Sequence, residues 1–203
     1  MIVFFHGFAA TGHGSSKAAL LRDHFGTRAE VVTPTYPCGD PDATCRLLTA
    51  AVSAAAKAGE PLLIGGISFG GFWARRVVAD FPGAGLLMIN PALDGAATLA
   101  RYAGLNTNYD SGETFEVTAA AARAAAAYAV GQDRPGQPML VLLAADDDVV
   151  PPGPARLAFE GRPGARVIVA EDAGHRFSRF EEMLPDIAAF HDGLPAWTSA
   201  RRL

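Results

Sequence analysis

Short apolar segments alternate with longer segments of helical character along this chain, and that alternation limits its fold more than any other feature. Strands buried on both faces of a parallel sheet are apolar or β-branched, and each parallel connection needs a crossover, usually a helix. The pattern predicts strands at residues 2–5, 30–33, 62–67, 86–89, 139–144 and 167–170, and helices at 16–25, 41–57, 70–81, 154–160 and 181–191.

The order of these elements predicts a three-layer α/β/α sandwich around a mostly parallel, doubly wound sheet. The chain has 203 residues, the length of one domain, so we expect a single domain over residues 1–203. Asp40 before Pro41 marks a helix start, and Gly26 and Gly59 lie where helices are expected to end. Ligands bind such folds at the carboxyl ends of the strands, so the loops there should carry the chemistry.

Residues 94–133 interrupt the alternation. They include an alanine-rich stretch, residues 118–130, whose composition strongly favours a helix. We expect a loop followed by a helix, which together form a cap-like insertion over one edge of the crevice. The alternative is a solvated structural insertion with no part in the site.

Charge and composition exclude several classes of function. The 17 basic and 21 acidic side chains give a formal charge of −4, so there is no basic footprint for nucleic acid or an anionic membrane surface. No run is long and apolar enough to predict a membrane span. Cys38 and Cys45 are too few for a disulfide framework, and we expect both as reduced thiols in a cytoplasmic protein.

A GxSxG motif follows the third predicted strand. Gly66, Ser68 and Gly70 fit the nucleophile elbow, in which a strained strand-to-helix turn projects a serine hydroxyl and needs residues without bulk on either side. A glycine-rich turn that merely packs is the alternative. The glycines here do not fit the GxGxxG spacing of a dinucleotide fingerprint, and no phosphate-loop motif occurs.

A serine hydroxyl is a weak nucleophile, so an esterase-like site also needs a base and an acid. His175, in the loop after the last predicted strand, is the best placed of the five histidines. The acid should follow the fifth strand, where Asp146, Asp147 and Asp148 are consecutive, with Asp94 as an outside candidate. The residue pattern places the acid in this cluster of aspartates but does not identify which of them it is.

Two backbone amides should stabilise the oxyanion. One belongs to Phe69, the residue after the nucleophile, and the other to Phe8 in the His6-Gly7-Phe8 loop after the first strand, where His6 has a structural role. Aromatic residues on or beside these segments indicate an apolar acyl pocket, although core packing is the alternative for all of them; they are Phe8, Phe69, Phe72, Trp73 and Phe177.

The order serine, acid, histidine resembles the α/β-hydrolase superfamily, and more narrowly the small YqiA/YcfP-type esterases. The segments that carry the resemblance occur in order over nearly the whole chain: FFHGFAATGHGSSKAALL, GISFGGFWA, MINPAL, YAGLNTNYDSGETFEV, DDDVV and AGHRF. This resemblance aligns Asp147 with the family's acid. It implies a serine hydrolase that cleaves small-molecule carboxylic esters or acyl thioesters without a metal or cofactor. A catalytically silent, hydrolase-like binding module is the alternative from another class.

Overall fold

The computed structural model of the chain describes residues 1–198, so residues 199–203 of the predicted domain lie outside the described part. Strands and helices alternate as the sequence pattern predicts. The strands are β1 (Ile2–Phe5), β2 (Val31–Val32), β3 (Leu63–Ile67), β4 (Gly85–Ile89), β5 (Gly104–Thr107), β6 (Thr114–Val117), β7 (Met139–Ala144) and β8 (Ala165–Ala170). The helices are α1 (Ser16–Phe25), α2 (Pro41–Ala55), α3 (Phe69–Val78), α4 (Gly95–Arg101), α5 (Ala119–Ala125), α6 (Gly153–Phe159) and α7 (Phe180–Asp192), and a 3-10 turn, Ala126–Tyr128, follows α5.

Six strands form one parallel sheet in the order β2-β1-β3-β4-β7-β8. Strands β1, β4 and β7 are buried along their whole length, as their uninterrupted apolar sequences require. The chain runs outward from β1 to β2 and then returns to the other side of β1 for β3. The strand order therefore reverses between β1 and β3, and ligand crevices in open α/β sheets form at such a point.

Helices cover both faces of the sheet, which confirms the three-layer α/β/α prediction. Each face of the sheet packs against its own hydrophobic core. Alternate residues of β1 point to the two faces, so Val3 and Phe5 belong to one core and Ile2 and Phe4 to the other. The first core contains side chains of α2, α3 and α6, and the second contains side chains of α1 and α7. None of the helices within residues 1–198 is long and apolar enough to cross a membrane.

The predicted start of α2 and end of α1 are confirmed by their capping contacts. The Asp40 carboxylate accepts a hydrogen bond from the Ala43 amide at 2.9 Å, and Pro41 is the first helical residue. Gly26 ends α1 with a positive φ of 51°. Gly59 was wrongly assigned as a helix end, because α2 stops at Ala55 and its last turn closes through the Ala56 amide.

The insertion after β4 is more structured than the predicted loop and single helix. It contains α4, an antiparallel hairpin of β5 and β6, and then the short helix α5. Asn108 shapes the hairpin turn, because its side-chain oxygen accepts hydrogen bonds from the amides of Asp110 and Ser111. Each hairpin strand has only four residues, which is too short for its alternation to be distinguished from a loop in the sequence.

Candidate active site

Ser68 occupies the sharp turn between β3 and α3. Its backbone has φ 55° and ψ −120°, a conformation that residues with a side chain seldom adopt. Hydrogen bonds on both sides hold it there, since the Ser68 amide donates to the Ile89 carbonyl and the Ser68 carbonyl accepts from the Gly71 amide, each at 2.9 Å. The surrounding backbone therefore imposes the strained conformation of this serine.

Gly66 and Gly70 are required by the close approach of backbone segments at this turn. A Cβ atom on Gly66 would lie 2.2 Å from the Gly70 carbonyl oxygen. A Cβ atom on Gly70 would lie 2.3 Å from the carbonyl oxygens of both Phe5 and His6, at the end of β1. Backbone cannot move aside as a flexible side chain can, so both motif positions need glycine for packing as well as for the turn.

Three side chains from three strand ends form one chain of hydrogen bonds. The Nε2 atom of His175 lies 3.1 Å from Ser68 Oγ, and its Nδ1 atom lies 2.8 Å from Asp147 Oδ2 and 3.0 Å from Oδ1. An ionised carboxylate only accepts hydrogen bonds, so the Nδ1–H group donates to Asp147 and leaves Nε2 to accept from the Ser68 hydroxyl. The imidazole is thereby oriented to receive the hydroxyl proton.

Among the four candidate acids, Asp147 is the one that contacts His175. Its side chain is fully buried, and Oδ1 also accepts hydrogen bonds from the amides of Val149 at 2.9 Å and Val150 at 2.8 Å. Asp148 is exposed, and Asp94 caps α4 through the Ala97 amide. These amide bonds fix the Asp147 carboxylate in the orientation that the imidazole requires.

Asp146, a second of the candidate acids, contacts the backbone of the His175 loop and not the imidazole. Its Oδ1 atom accepts hydrogen bonds from the amides of Ala173 and Gly174, both at 3.0 Å, directly before His175. These bonds, that from Gly174 foremost, lower the pKa of the Asp146 carboxyl group. Asp146 thus connects the loop after β7 to the loop that carries His175.

Asn90, which the sequence reasoning did not select, holds the same loop from the other side. Its side-chain NH₂ group donates to the carbonyl oxygens of Gly174 and His175, both at 3.0 Å, and its oxygen accepts from the Ala144 amide at 2.7 Å. The residue is almost fully buried and has a positive φ of 42°. An asparagine directly after an apolar strand is the sequence signal for such a position, because asparagine is enriched at positive φ.

The predicted oxyanion residues, Phe8 and Phe69, both lie close to Ser68. Phe69 is the first residue of α3, so its amide has no partner in the helix, and within residues 1–198 neither this amide nor that of Phe8 donates to a protein acceptor. The first loop lies beside Ser68, because a Cβ atom on Gly7 would be 3.9 Å from Ser68 Cβ. That these two amides form an oxyanion site stays a prediction.

His6 organises that first loop, in agreement with its predicted structural role. Its ring stacks on Tyr36 with the centroids 4.0 Å apart, Nδ1 donates to the Gly7 carbonyl at 2.7 Å, and Nε2 accepts from the Tyr36 amide. Burial lowers the pKa of His6 to about 4. The ring is therefore neutral at neutral pH and fixes the loop that carries Phe8.

A crevice of about 230 Å³ opens at Ser68. One wall is the face of α4 that presents Asp94, Ala97, Thr98 and Arg101, residues spaced so that they align along one side of a helix. The opposite wall is the segment that follows Asp147, and most of the lining is apolar. Of the aromatic residues expected in an acyl pocket, only Phe8 lines this crevice, and the others are buried in the core: Phe69, Phe72, Trp73 and Phe177.

The insertion is attached to the first loop at several points. The Tyr109 amide donates to the Ala9 carbonyl at 2.7 Å, and the Thr11 amide donates to the Asp110 carboxylate at 2.6 Å. The ring of Tyr102 stacks on that of Phe8 with a centroid distance of 4.3 Å. The start of the insertion, residues 94–102, therefore lines the crevice, and the hairpin turn supports the loop that carries one predicted oxyanion amide.

A second, larger cavity of about 800 Å³ lies between residues 35–40 and the hairpin. Neither Ser68 nor any residue of the α4 wall lines it. Within residues 1–198, no group of three or more histidine, cysteine, aspartate or glutamate side chains is arranged to hold a metal ion.

The fold is shared with solved α/β hydrolases. Mouse alpha/beta hydrolase domain-containing protein 10 superposes with a TM-score of 0.74 at 16% identity, with 94% of this chain and 89% of that chain covered. Est1E from Butyrivibrio proteoclasticus gives 0.69 at 15% identity over 94% and 87% of the two chains. A thermophilic esterase from Thermogutta terrifontis gives 0.65 at 16% identity over 94% and 90%.

No curated protein sequence matches the chain. The sequence model of the uncharacterised protein family UPF0227, by contrast, matches residues 1–192. The match covers nearly the whole chain and agrees with the resemblance carried by the sequence motifs. The chain therefore belongs to the UPF0227 family, the YcfP/YqiA type, and has the α/β-hydrolase fold.

Proposed function

We propose that this protein is a serine hydrolase that cleaves small-molecule carboxylic esters or acyl thioesters through an acyl-enzyme intermediate. The observation that carries the proposal is the continuous hydrogen-bond path from Asp147 through His175 to Ser68, which ends at a strained strand-to-helix turn. The thermophilic esterase among the similar structures supports an ester as the substrate class.

Acylation follows from this arrangement. Ser68 Oγ attacks the substrate carbonyl carbon while His175 Nε2 takes the hydroxyl proton, and Asp147 stabilises the resulting imidazolium. The carbonyl oxygen becomes an oxyanion that accepts hydrogen bonds from the amides of Phe8 and Phe69. Collapse of this intermediate breaks the bond to the leaving oxygen or sulfur, which receives the proton from His175 and departs as an alcohol or thiol.

Deacylation repeats the same steps with water. His175 takes a proton from the water as its oxygen bonds to the acyl carbon, and the oxyanion again occupies the site between Phe8 and Phe69. The bond to Ser68 Oγ then breaks, and the proton on His175 returns to that oxygen. The acyl group leaves as a carboxylic acid, and the free enzyme is restored with no cofactor or metal consumed.

Replacement of the nucleophile tests the proposal. We expect Ser68→Ala to reduce turnover of 4-nitrophenyl esters by at least about 10³-fold while the circular dichroism spectrum stays that of the wild type. A fluorophosphonate probe should label wild-type Ser68 rapidly and leave the variant unlabelled. A wild-type protein that resists the probe and hydrolyses neither esters nor acyl thioesters would instead be the silent binding module.

A further inference from the structure

One charged group in the Ser68 crevice has no part in the proposed reaction steps. Among residues 1–198, Arg101 at the end of α4 is the only cationic residue that lines the crevice. Its guanidinium Nη1 donates to the Val149 carbonyl oxygen at 2.8 Å, and Val149 in turn donates its amide to the Asp147 carboxylate. The guanidinium is therefore held against the loop of the proposed catalytic acid, on the wall opposite its own helix.

Arg101 forms no ion pair with any carboxylate among residues 1–198. Asp94, on the same face of α4, is the acidic residue in the crevice lining. It lies seven residues earlier, about 10 Å along the helix axis, and its carboxylate caps the helix. A guanidinium carries five N–H donors, so most of those on Arg101 remain available.

We infer that Arg101 selects substrates that carry an anionic group, a carboxylate or a phosphate, at a distance from the ester or thioester bond. The inference rests on the proposed hydrolase function. A guanidinium matches the geometry of both anions, and the mostly apolar lining of the crevice that contains Ser68 and Arg101 suits the uncharged part of such a substrate. The anion can belong to the acyl group, as in a half-ester of a dicarboxylic acid, or to the leaving group, as in an acyl-CoA.

Paired substrates measure the contribution of the anion. The first pair is the mono-4-nitrophenyl ester of adipic acid and 4-nitrophenyl 6-methylheptanoate, in which an isopropyl group replaces the carboxylate at similar size. The second pair is an acyl-CoA and the N-acetylcysteamine thioester of the same acyl group, which lacks the phosphates. The ratio of kcat/KM for the anionic substrate to that for its neutral partner is determined for each enzyme variant.

Arg101→Gln removes the charge but keeps a donor for the Val149 carbonyl. We expect it to lower the ratio about tenfold in at least one pair, because a hydrogen bond between charged groups at a partly exposed site has this order of strength. Arg101→Lys should retain most of the ratio. Arg123→Gln, the same charge change at an exposed position of α5 outside the crevice, should leave both ratios unchanged.

The two pairs locate the anion, since a fall in the first ratio places it on the acyl side and a fall in the second on the leaving-group side. An Arg101→Gln variant that slows both members of each pair equally would show that Arg101 only fastens α4 to the acid loop, and the inference would be overturned. A wild-type protein that turns over no substrate of either pair and is not labelled by the fluorophosphonate would overturn the hydrolase proposal together with this inference.

Discussion

The side-chain amide of Asn90 donates a hydrogen bond to the carbonyl oxygen of His175 itself, at 3.0 Å. The same NH₂ group bonds the Gly174 carbonyl, and the Asn90 oxygen accepts from the Ala144 amide in β7. One buried side chain thus joins β4 and β7 to the backbone of the proposed catalytic base. The position of the imidazole depends on this contact as well as on Asp147.

We predict that Asn90→Ala lowers kcat about 10- to 100-fold with little change in KM, because the His175 loop loses its fixed position while the crevice wall is unchanged. The buried groups left without partners should also lower the free energy of unfolding by about 2 kcal/mol. Steady-state kinetics and urea denaturation measure the two effects.

Gln137→Ala is the matched control for Asn90→Ala. Gln137 is also a buried amide that donates to a backbone carbonyl, that of Ala84, but it precedes β7 at the opposite end of the sheet. This variant should lose stability and keep kcat. Equal losses of kcat in both variants would show that Asn90 acts through general stability and does not position His175.

The strained turn at Ser68 predicts a difference between two inactive variants. A residue with a side chain is strained at φ 55° and ψ −120°, whereas glycine adopts this conformation readily. We expect Ser68→Gly to be more stable than Ser68→Ala by about 1 kcal/mol, since the relief of strain exceeds the entropy cost of glycine. Chemical denaturation of both proteins measures this difference in stability. An equal or lower stability of the glycine variant would contradict a strained backbone conformation at Ser68.

The packing at Gly70 predicts a large loss of stability on addition of one methyl group. In Gly70→Ala the new Cβ atom would lie 2.3 Å from two carbonyl oxygens of β1 and the first loop, which cannot move apart without disturbing the strand. We expect a loss of about 3 kcal/mol or failure to fold. Gly131→Ala, at an exposed position with no atom within 4 Å of the added group, should change stability by less than about 0.5 kcal/mol.

The lowered pKa of His6 predicts how the stability of the protein depends on pH. Burial lowers its pKa in the folded protein to about 4, below its ordinary value of 6.5, so between these pH values the unfolded chain binds more protons than the folded one. The stabilising contribution of neutral His6 is therefore complete above pH 6.5 and is lost as the pH falls towards 4. It amounts to roughly 3 kcal/mol.

The non-titrating variant His6→Gln tests this assignment by denaturation between pH 4 and 7.5. The fall in stability towards pH 4 should be smaller in the variant than in the wild type. It should not vanish, because burial also lowers the pKa of His191. An unchanged pH dependence would show that the pKa of His6 is the same in the folded protein as in the unfolded chain.

The sequence predicted the sheet and the three hydrogen-bonded side chains because each depends on local patterns. Apolar runs identify buried strands, and the glycines around Ser68 indicate a turn that only such residues permit. The choice of Asp147 among three consecutive aspartates required the family resemblance. Neighbouring residues of the same type differ only in the direction of their side chains, which the sequence does not show. In the structure, the amides of Val149 and Val150 donate hydrogen bonds to Asp147, and of the three aspartates only Asp147 contacts the imidazole.

The sequence could not predict contacts between segments that are distant in the chain. Asn90, Asp146 and Arg101 act on residues at least 27 positions away, and no periodicity reports which loop faces which. The hairpin was missed because its two short strands pair only with each other, so their sequences lack the apolar character of the main sheet. The five expected aromatic residues lie near the motifs in sequence, but proximity in sequence does not indicate which of them faces the crevice.

The hydrogen bonds that tie the hairpin turn to Ala9 and Thr11 make the insertion and the first loop interdependent parts. A chimaera in which the insertion was replaced by the equivalent segment of another hydrolase would lose the Tyr109 amide and the Asp110 carboxylate. These are the groups that hold its own loop after β1. Such an exchange would have to transfer both segments together, and among natural relatives we expect changes in one to be accompanied by changes in the other.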